Sequence, residues 1–117
     1  MPTYRDIYRT NKLVYAHNTY DLFGNLKYLR VGNTINLTEN GITTTYRVSD
    51  IGYFSKVPYT NSQGVHGENL AKCDASYNNC SGVFMGTLVN NAMGHKLALM
   101  TCDGGSGTLR RLIIFVD

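Results

Sequence analysis

Short runs rich in threonine, tyrosine, valine and isoleucine recur along this chain, each bounded by a cluster of glycine, asparagine or aspartate. β-Branched and aromatic side chains fit a pleated surface, and the bounding residues favour turns, so the pattern predicts a fold that is mainly β. The sharpest turn signal is Asn40-Gly41, set between the runs 34–38 and 42–48. That dipeptide suits a two-residue type I′ hairpin, because both of its central residues need positive φ. Residues 51–57 read as a continuation of the sheet, and Val83–Leu88 as a further strand. Two apolar runs, Lys96–Cys102 and Arg111–Val116, flank the glycine-rich connector Asp103-Gly104-Gly105-Ser106-Gly107-Thr108.

Near the N-terminus, residues 6–16 read as an extended approach ending in a buried strand, Leu13-Val14-Tyr15. Leu22, Phe23, Leu26 and Leu29 are spaced at three to four residues, which predicts a short amphipathic helix within 20–30. From Pro58 to about Gly82 the chain turns polar and rich in Asn, Ser and Gly. This stretch, 58–82, reads as a long surface loop with at most one helical turn, around Glu68–Lys72; such excursions are often functional. No repeat, heptad or linker divides the 117 residues, so 1–117 is taken as a single domain.

Lys and Arg number 11 against 8 Asp and Glu, and they are scattered rather than clustered. That reads as a solvated surface, and nucleic acid is not an expected partner. No apolar run approaches the ~20 residues that cross a bilayer, and no signal peptide opens the chain, so a targeting segment would lie outside it. Asn36-Leu37-Thr38 and Asn79-Cys80-Ser81 match glycosylation acceptors, patterns short enough to arise by chance.

The three cysteines are Cys73, Cys80 and Cys102. Pairing of Cys73 with Cys80 across the polar segment 74–79 would leave Cys102 as a free, reactive thiol; three free thiols is the alternative. A metal site built from His66, Cys73 and Cys80 lacks the usual ligand spacing, and no metal or cofactor is expected. His66 and His95 have no assigned role.

Three residues could carry chemistry. His17 follows one apolar strand, Cys102 ends another, and Arg111 opens the last. Antiparallel pairing of the two C-terminal strands would set Cys102 near Arg111. A thiolate, an imidazolium and a fixed cation suffice for acyl transfer. Each residue alone also has a plainer reading: a buried thiol, a structural histidine, a surface arginine.

Four motifs, in order, resemble those of sortases. Leu97-Ala98-Leu99-Met100-Thr101-Cys102 is similar to the family's Leu-x-Leu-x-Thr-Cys strand, and Arg111-Leu112-Ile113-Ile114 to its Arg-Leu-Ile-Val strand. Val14-Tyr15-Ala16-His17 resembles the strand that ends in the family histidine. Phe23-Gly24-Asn25-Leu26, Leu29 and Gly32-Asn33-Thr34-Ile35 resemble the segment that follows it.

The resemblance implies a closed or nearly closed β-barrel with one or two short helices. It makes Cys102 the nucleophile, His17 the general acid and then base, and Arg111 rather than Arg110 the oxyanion clamp. Thr101 would help shape the substrate pocket, or be an ordinary strand threonine. The implied reaction cuts an LPxTG-like C-terminal sorting motif of a secreted protein through a thioester. The acyl part then passes to an amine of a peptidoglycan precursor or a pilin lysine, at the extracytoplasmic face of a bacterial cell.

Only residues 1–12 precede the histidine-bearing strand, where sortases usually have more strands, so the expectation is an N-terminally minimal barrel, unless a partner supplies a strand or the sequence has been trimmed. An incomplete barrel would expose a sheet edge and invite self-association. The alternative reading is an inactive sortase-fold module that binds peptide or serves structure. A third is a hydrolase using the same trio with water as acceptor.

Overall fold

The computed structural model describes residues 7–16, 26–57, 69–84, 86–104 and 108–117. The strands are β1 (Ile7–Thr10), β2 (Leu13–Ala16), β3 (Thr34–Glu39), β4 (Ile42–Lys56), β5 (Leu70–Cys73), β6 (Ser81–Phe84), β7 (Leu97–Cys102) and β8 (Arg110–Val116). One five-residue helix, α1 (Gly86–Asn90), links β6 to β7. The strands form one sheet in the order β1-β2-β7-β8-β4-β5-β6, with β3 paired to the first half of the long β4. Mostly β and curled into a half-barrel, this is the class of fold the sequence predicts. The path ends on β1 and β6, and β3 pairs only with β4, so among the described strands β1, β3 and β6 carry the edges of the sheet.

All pairings are antiparallel except β2 with β7, which run parallel. That exception matters, because it brings the C-terminal ends of β2 and β7 to the same end of the sheet. The β7–β8 and β8–β4 pairings bring the start of β8 and the end of β4 there as well.

Alternation along the strands divides the core into two layers. Leu13, Tyr15, Ala98, Met100, Ile113, Phe115 and Phe54 pack together on one face with Val89 and Ala92. Val14, Leu97, Leu99, Leu112, Ile114 and Val116 pack on the other with Val48 and Leu26. Both faces of Leu97–Met100 and Leu112–Val116 are therefore dry, which is why these runs are apolar. Gly52, opposite Ile113 on β4, is required by the first layer. A Cβ there would stand 2.3 Å from the Phe54 ring and 3.2 Å from that of Phe115.

Several local expectations change. Residues 7–16 form a hairpin, β1 and β2, turned at Asn11 with φ +52°, rather than a single extended approach. Leu70–Cys73 is a strand, not a helical turn, because it ladders onto Tyr53–Lys56 and buries Leu70 completely. With β6 it builds a hairpin inside what reads in sequence as the surface loop 58–82; residues 58–68 lie outside the described residues. The strand expected at Val83–Leu88 stops at Phe84, and α1 follows, turning Val89 into the core. Of the helix expected within 20–30, the described part is a single 3-10 turn, Leu26–Tyr28. The Asn40-Gly41 hairpin has the expected positive φ at both residues, +52° and +79°.

Candidate active site

The site is built at the end of the sheet where β7 finishes and β8 begins. In the antiparallel ladder the last pair is Cys102 opposite Arg111. Directly opposed residues on such a ladder carry Cβ atoms about 4.5–5.5 Å apart on the same face. That face is the first core layer, against which Cys102 packs at its rim. Cys102 is a free thiol, half-buried. Arg111 is only 6% exposed. Its Nη1 donates to the carbonyls of Thr108 (2.8 Å) and Arg110 (3.0 Å), so the connector's own backbone orients the guanidinium.

Arg110 alternates to the other face, where its guanidinium stacks on the Tyr77 ring. Of the two neighbouring arginines, Arg111 is therefore the one that shares a face with the thiol.

Thr101 also lies on the opposite face from Cys102 and is 1% exposed. Its hydroxyl donates to the carbonyl of Ala16 at 2.8 Å. Thr101 thus faces away from the Cys102–Arg111 surface and pins the end of β2 beside β7. His17, the next residue after Ala16, lies outside the described residues, as does His66. His95 precedes β7, at the far end from Cys102. There it packs on Phe115 and sets Nδ1 2.8 Å from Oδ2 of Asp117.

Cys73 and Cys80 are joined as a disulfide, so neither is a thiolate available to a metal. Among the described residues, no group of three His, Cys, Asp or Glu side chains could hold a metal ion. None of the described helices is long and apolar enough to cross a membrane.

Two contacts were not anticipated from sequence. The Tyr15 hydroxyl lies 2.7 Å from the Cys102 Sγ. Tyr77, on the disulfide-closed loop, donates its hydroxyl to Oδ2 of Asp103 at 2.6 Å, next to the nucleophile candidate. The first depends on the parallel β2–β7 register, in which Tyr15 stands opposite Met100. The second depends on how the β5–β6 hairpin folds back.

A curled, mainly β half-barrel that carries a free thiol opposite a buried arginine on the last pair of its central ladder defines a sheet-based protein with a candidate thiol site. A family model described as the sortase domain matches residues 6–117, and the chain belongs to the sortase family, a family of cysteine transpeptidases that act at the cell surface. No curated protein and no solved structure matches the chain.

Proposed function

We propose that this chain is a sortase-type transpeptidase in which Cys102 is the nucleophile, Arg111 the oxyanion clamp and His17 the proton carrier. The observation that carries the reading is the ladder pair Cys102–Arg111 on one face, with the guanidinium already oriented by two carbonyls. A guanidinium fixed on the face that carries the thiol supplies a preorganised donor for the oxyanion that forms when the thiol adds to a carbonyl.

His17 enters through chain connectivity. Its Cα can be no more than about 3.8 Å from that of Ala16, whose carbonyl is bonded to the residue preceding Cys102. That connectivity, together with the family motif Val14-Tyr15-Ala16-His17, is what supports His17 as the proton carrier. Thr101 then acts on the site indirectly, through Ala16.

The reaction follows from these groups. The Cys102 thiolate adds to the carbonyl carbon of the scissile peptide bond, and Arg111 stabilises the oxyanion that forms. The C–N bond breaks as His17 gives its proton to the leaving amine, and a thioester remains on Cys102. An incoming amine adds to the thioester, loses a proton to His17, and expels the thiolate. Substrates of this chemistry are a C-terminal sorting motif of the LPxTG kind in a secreted protein and an amine of a peptidoglycan precursor or a pilin lysine. The edges of β1, β3 and β6 are where self-association would occur.

The test is incubation with a library of sorting peptides, with and without oligoglycine, followed by intact mass measurement. A thioester adduct on Cys102 that oligoglycine discharges into a ligated product is the expected result. Absence of any adduct across the library would favour a peptide-binding module, and discharge to acid alone would make the protein a hydrolase.

A further inference from the structure

Tyr77 touches both residues that flank the Cys102–Arg111 pair. Its hydroxyl donates to Asp103, which follows Cys102, and its ring lies 5.1 Å under the guanidinium of Arg110, which precedes Arg111. Asp103 and Arg110 are themselves bonded, N–H to carbonyl, at 3.0 Å. The same Arg110 carbonyl accepts from Arg111 Nη1. One side chain, approaching from the face opposite the thiol, therefore grips both ends of the last rung before the connector.

Tyr77 is in turn held firmly. Its ring meets Tyr53 edge-on at 5.4 Å, and Tyr53 is the register partner of both Leu112 and Cys73. The loop that carries it is closed by the Cys73–Cys80 disulfide. Inside the loop, Asp74 Oδ1 accepts from the N–H groups of Ser76 and Asn78, and Oδ2 accepts from the Asn79 side chain. Tyr77 and Asn79 both adopt left-handed backbone, φ +61° and +55°. Such conformations persist in non-glycine residues when the surroundings over-determine them, and here the disulfide and the Asp74 bonds do so. Burial and the Asp103 carboxylate push the Tyr77 hydroxyl well above its ordinary pKa, so it remains a donor.

We infer that Tyr77 is a positioning residue for Cys102 and Arg111, and that the Cys73–Cys80 disulfide holds it in place, coupling the site's reactivity to the redox state of that bond. The inference rests on the transpeptidase reading for its consequence in turnover, but the thiol itself reports on it independently. Reduction consumes two equivalents of a thiol: the S–S bond breaks, Cys73 and Cys80 become thiols, and the reductant leaves as its own disulfide. Cys80 is exposed, so a small reductant can reach the bond.

The experiment compares wild type, Tyr77→Phe, Cys73→Ser/Cys80→Ser and the combined triple variant, each well below its unfolding temperature. Alkylation of Cys102 by iodoacetamide is followed by intact mass, and kcat and KM are measured with a sorting peptide. Tyr77→Phe keeps the ring contacts and loses only the bond to Asp103. It is expected to slow alkylation and lower kcat by about tenfold with KM unchanged, since sub-ångström misplacement of reacting groups is costly. The serine pair should show the same loss, and the triple variant no more than either, because all three break one brace. Wild-type rates in Tyr77→Phe would overturn the positioning role; that variant retains the disulfide and so decides the point even if the serine pair fails to fold. Slowing in Tyr77→Phe with wild-type rates in the serine pair would overturn the redox coupling. A wild type that turns over no sorting peptide would count against the transpeptidase reading, while the alkylation rates would still decide this one.

Discussion

The hydroxyl of Tyr15 lies 2.7 Å from Sγ of Cys102, joining residues 87 positions apart. Tyr15 is otherwise a core residue, 8% exposed, with its ring in the apolar layer shared with Met100 and Ile113. Its polar tip meets a group that can accept from it as a thiolate, or donate to it as a thiol.

Tyr15→Phe removes that contact and keeps the ring. Alkylation of Cys102 at neutral pH is expected to slow by about tenfold, the worth of one hydrogen bond to a charged acceptor. An unchanged alkylation rate would show that the hydroxyl does not act on the thiolate.

Arg111→Lys keeps the charge and loses the planar fork whose Nη1 is fixed by Thr108 and Arg110. The expected loss in kcat is about 10²–10³-fold, the usual effect of deleting one oxyanion donor. Cys102→Ala should abolish turnover altogether. Near-normal kcat in the lysine variant would remove Arg111 from the clamp role.

Thr101 separates positioning from contact. Thr101→Val deletes the bond to the Ala16 carbonyl, whereas Thr101→Ser retains it. Valine should destabilise by about 1–3 kcal/mol in urea unfolding, the cost of stranding a buried acceptor. Turnover should fall in the valine variant and survive in the serine one. Equal turnover in both would show that the end of β2 needs no such pin.

Gly52→Ala tests the aromatic layer rather than the chemistry. The added methyl meets the buried rings of Phe54 and Phe115, which sit 6.4 Å apart between centroids. Overpacking of this kind costs about 1–3 kcal/mol, read as a lower denaturation midpoint at an unchanged m value.

Asp117 governs acid behaviour at the other end of the sheet. Hydrogen bonds from Ser49 and His95, with the Lys96 N–H, lower its pKa from 3.8 to about 2. A carboxylate held below its unfolded value stabilises the fold above that value, and the contribution is lost as pH falls through the folded one. The melting temperature should therefore decline between about pH 4 and pH 2. Asp117→Asn should flatten that decline, and an identical slope in both proteins would rule out Asp117 as its source.

How much of this was legible in the chain varies from residue to residue. The Asn40-Gly41 turn was readable because positive φ at two adjacent residues is a local demand. The Cys102–Arg111 pairing was nearly so: two apolar runs joined by a flexible connector pair antiparallel, and the pairing sets the residue ending one beside the residue opening the next. The family motif, in which the arginine directly precedes the Leu-Ile-Ile run, singled out Arg111, and alternation then puts Arg110 on the other face. Leu70–Cys73 was not readable, since four residues in a polar stretch carry no period of their own and become a strand only because β4 offers them a ladder. The stop at Phe84 was hidden for a similar reason: α1 forms where Val89 can reach a core assembled from other strands.

The sequence by itself determined the β class, the Asn40-Gly41 hairpin turn, the family motifs and the residue types proposed for acyl transfer. Tertiary structure alone decided the parallel seating of β2 on β7, which puts Tyr15 on the thiol and Thr101 on Ala16, and the fold-back of the disulfide loop, which puts Tyr77 behind the site. The physical reason is range. Turn geometry and side-chain alternation act between neighbours, whereas register between distant strands is settled by which faces exclude water together.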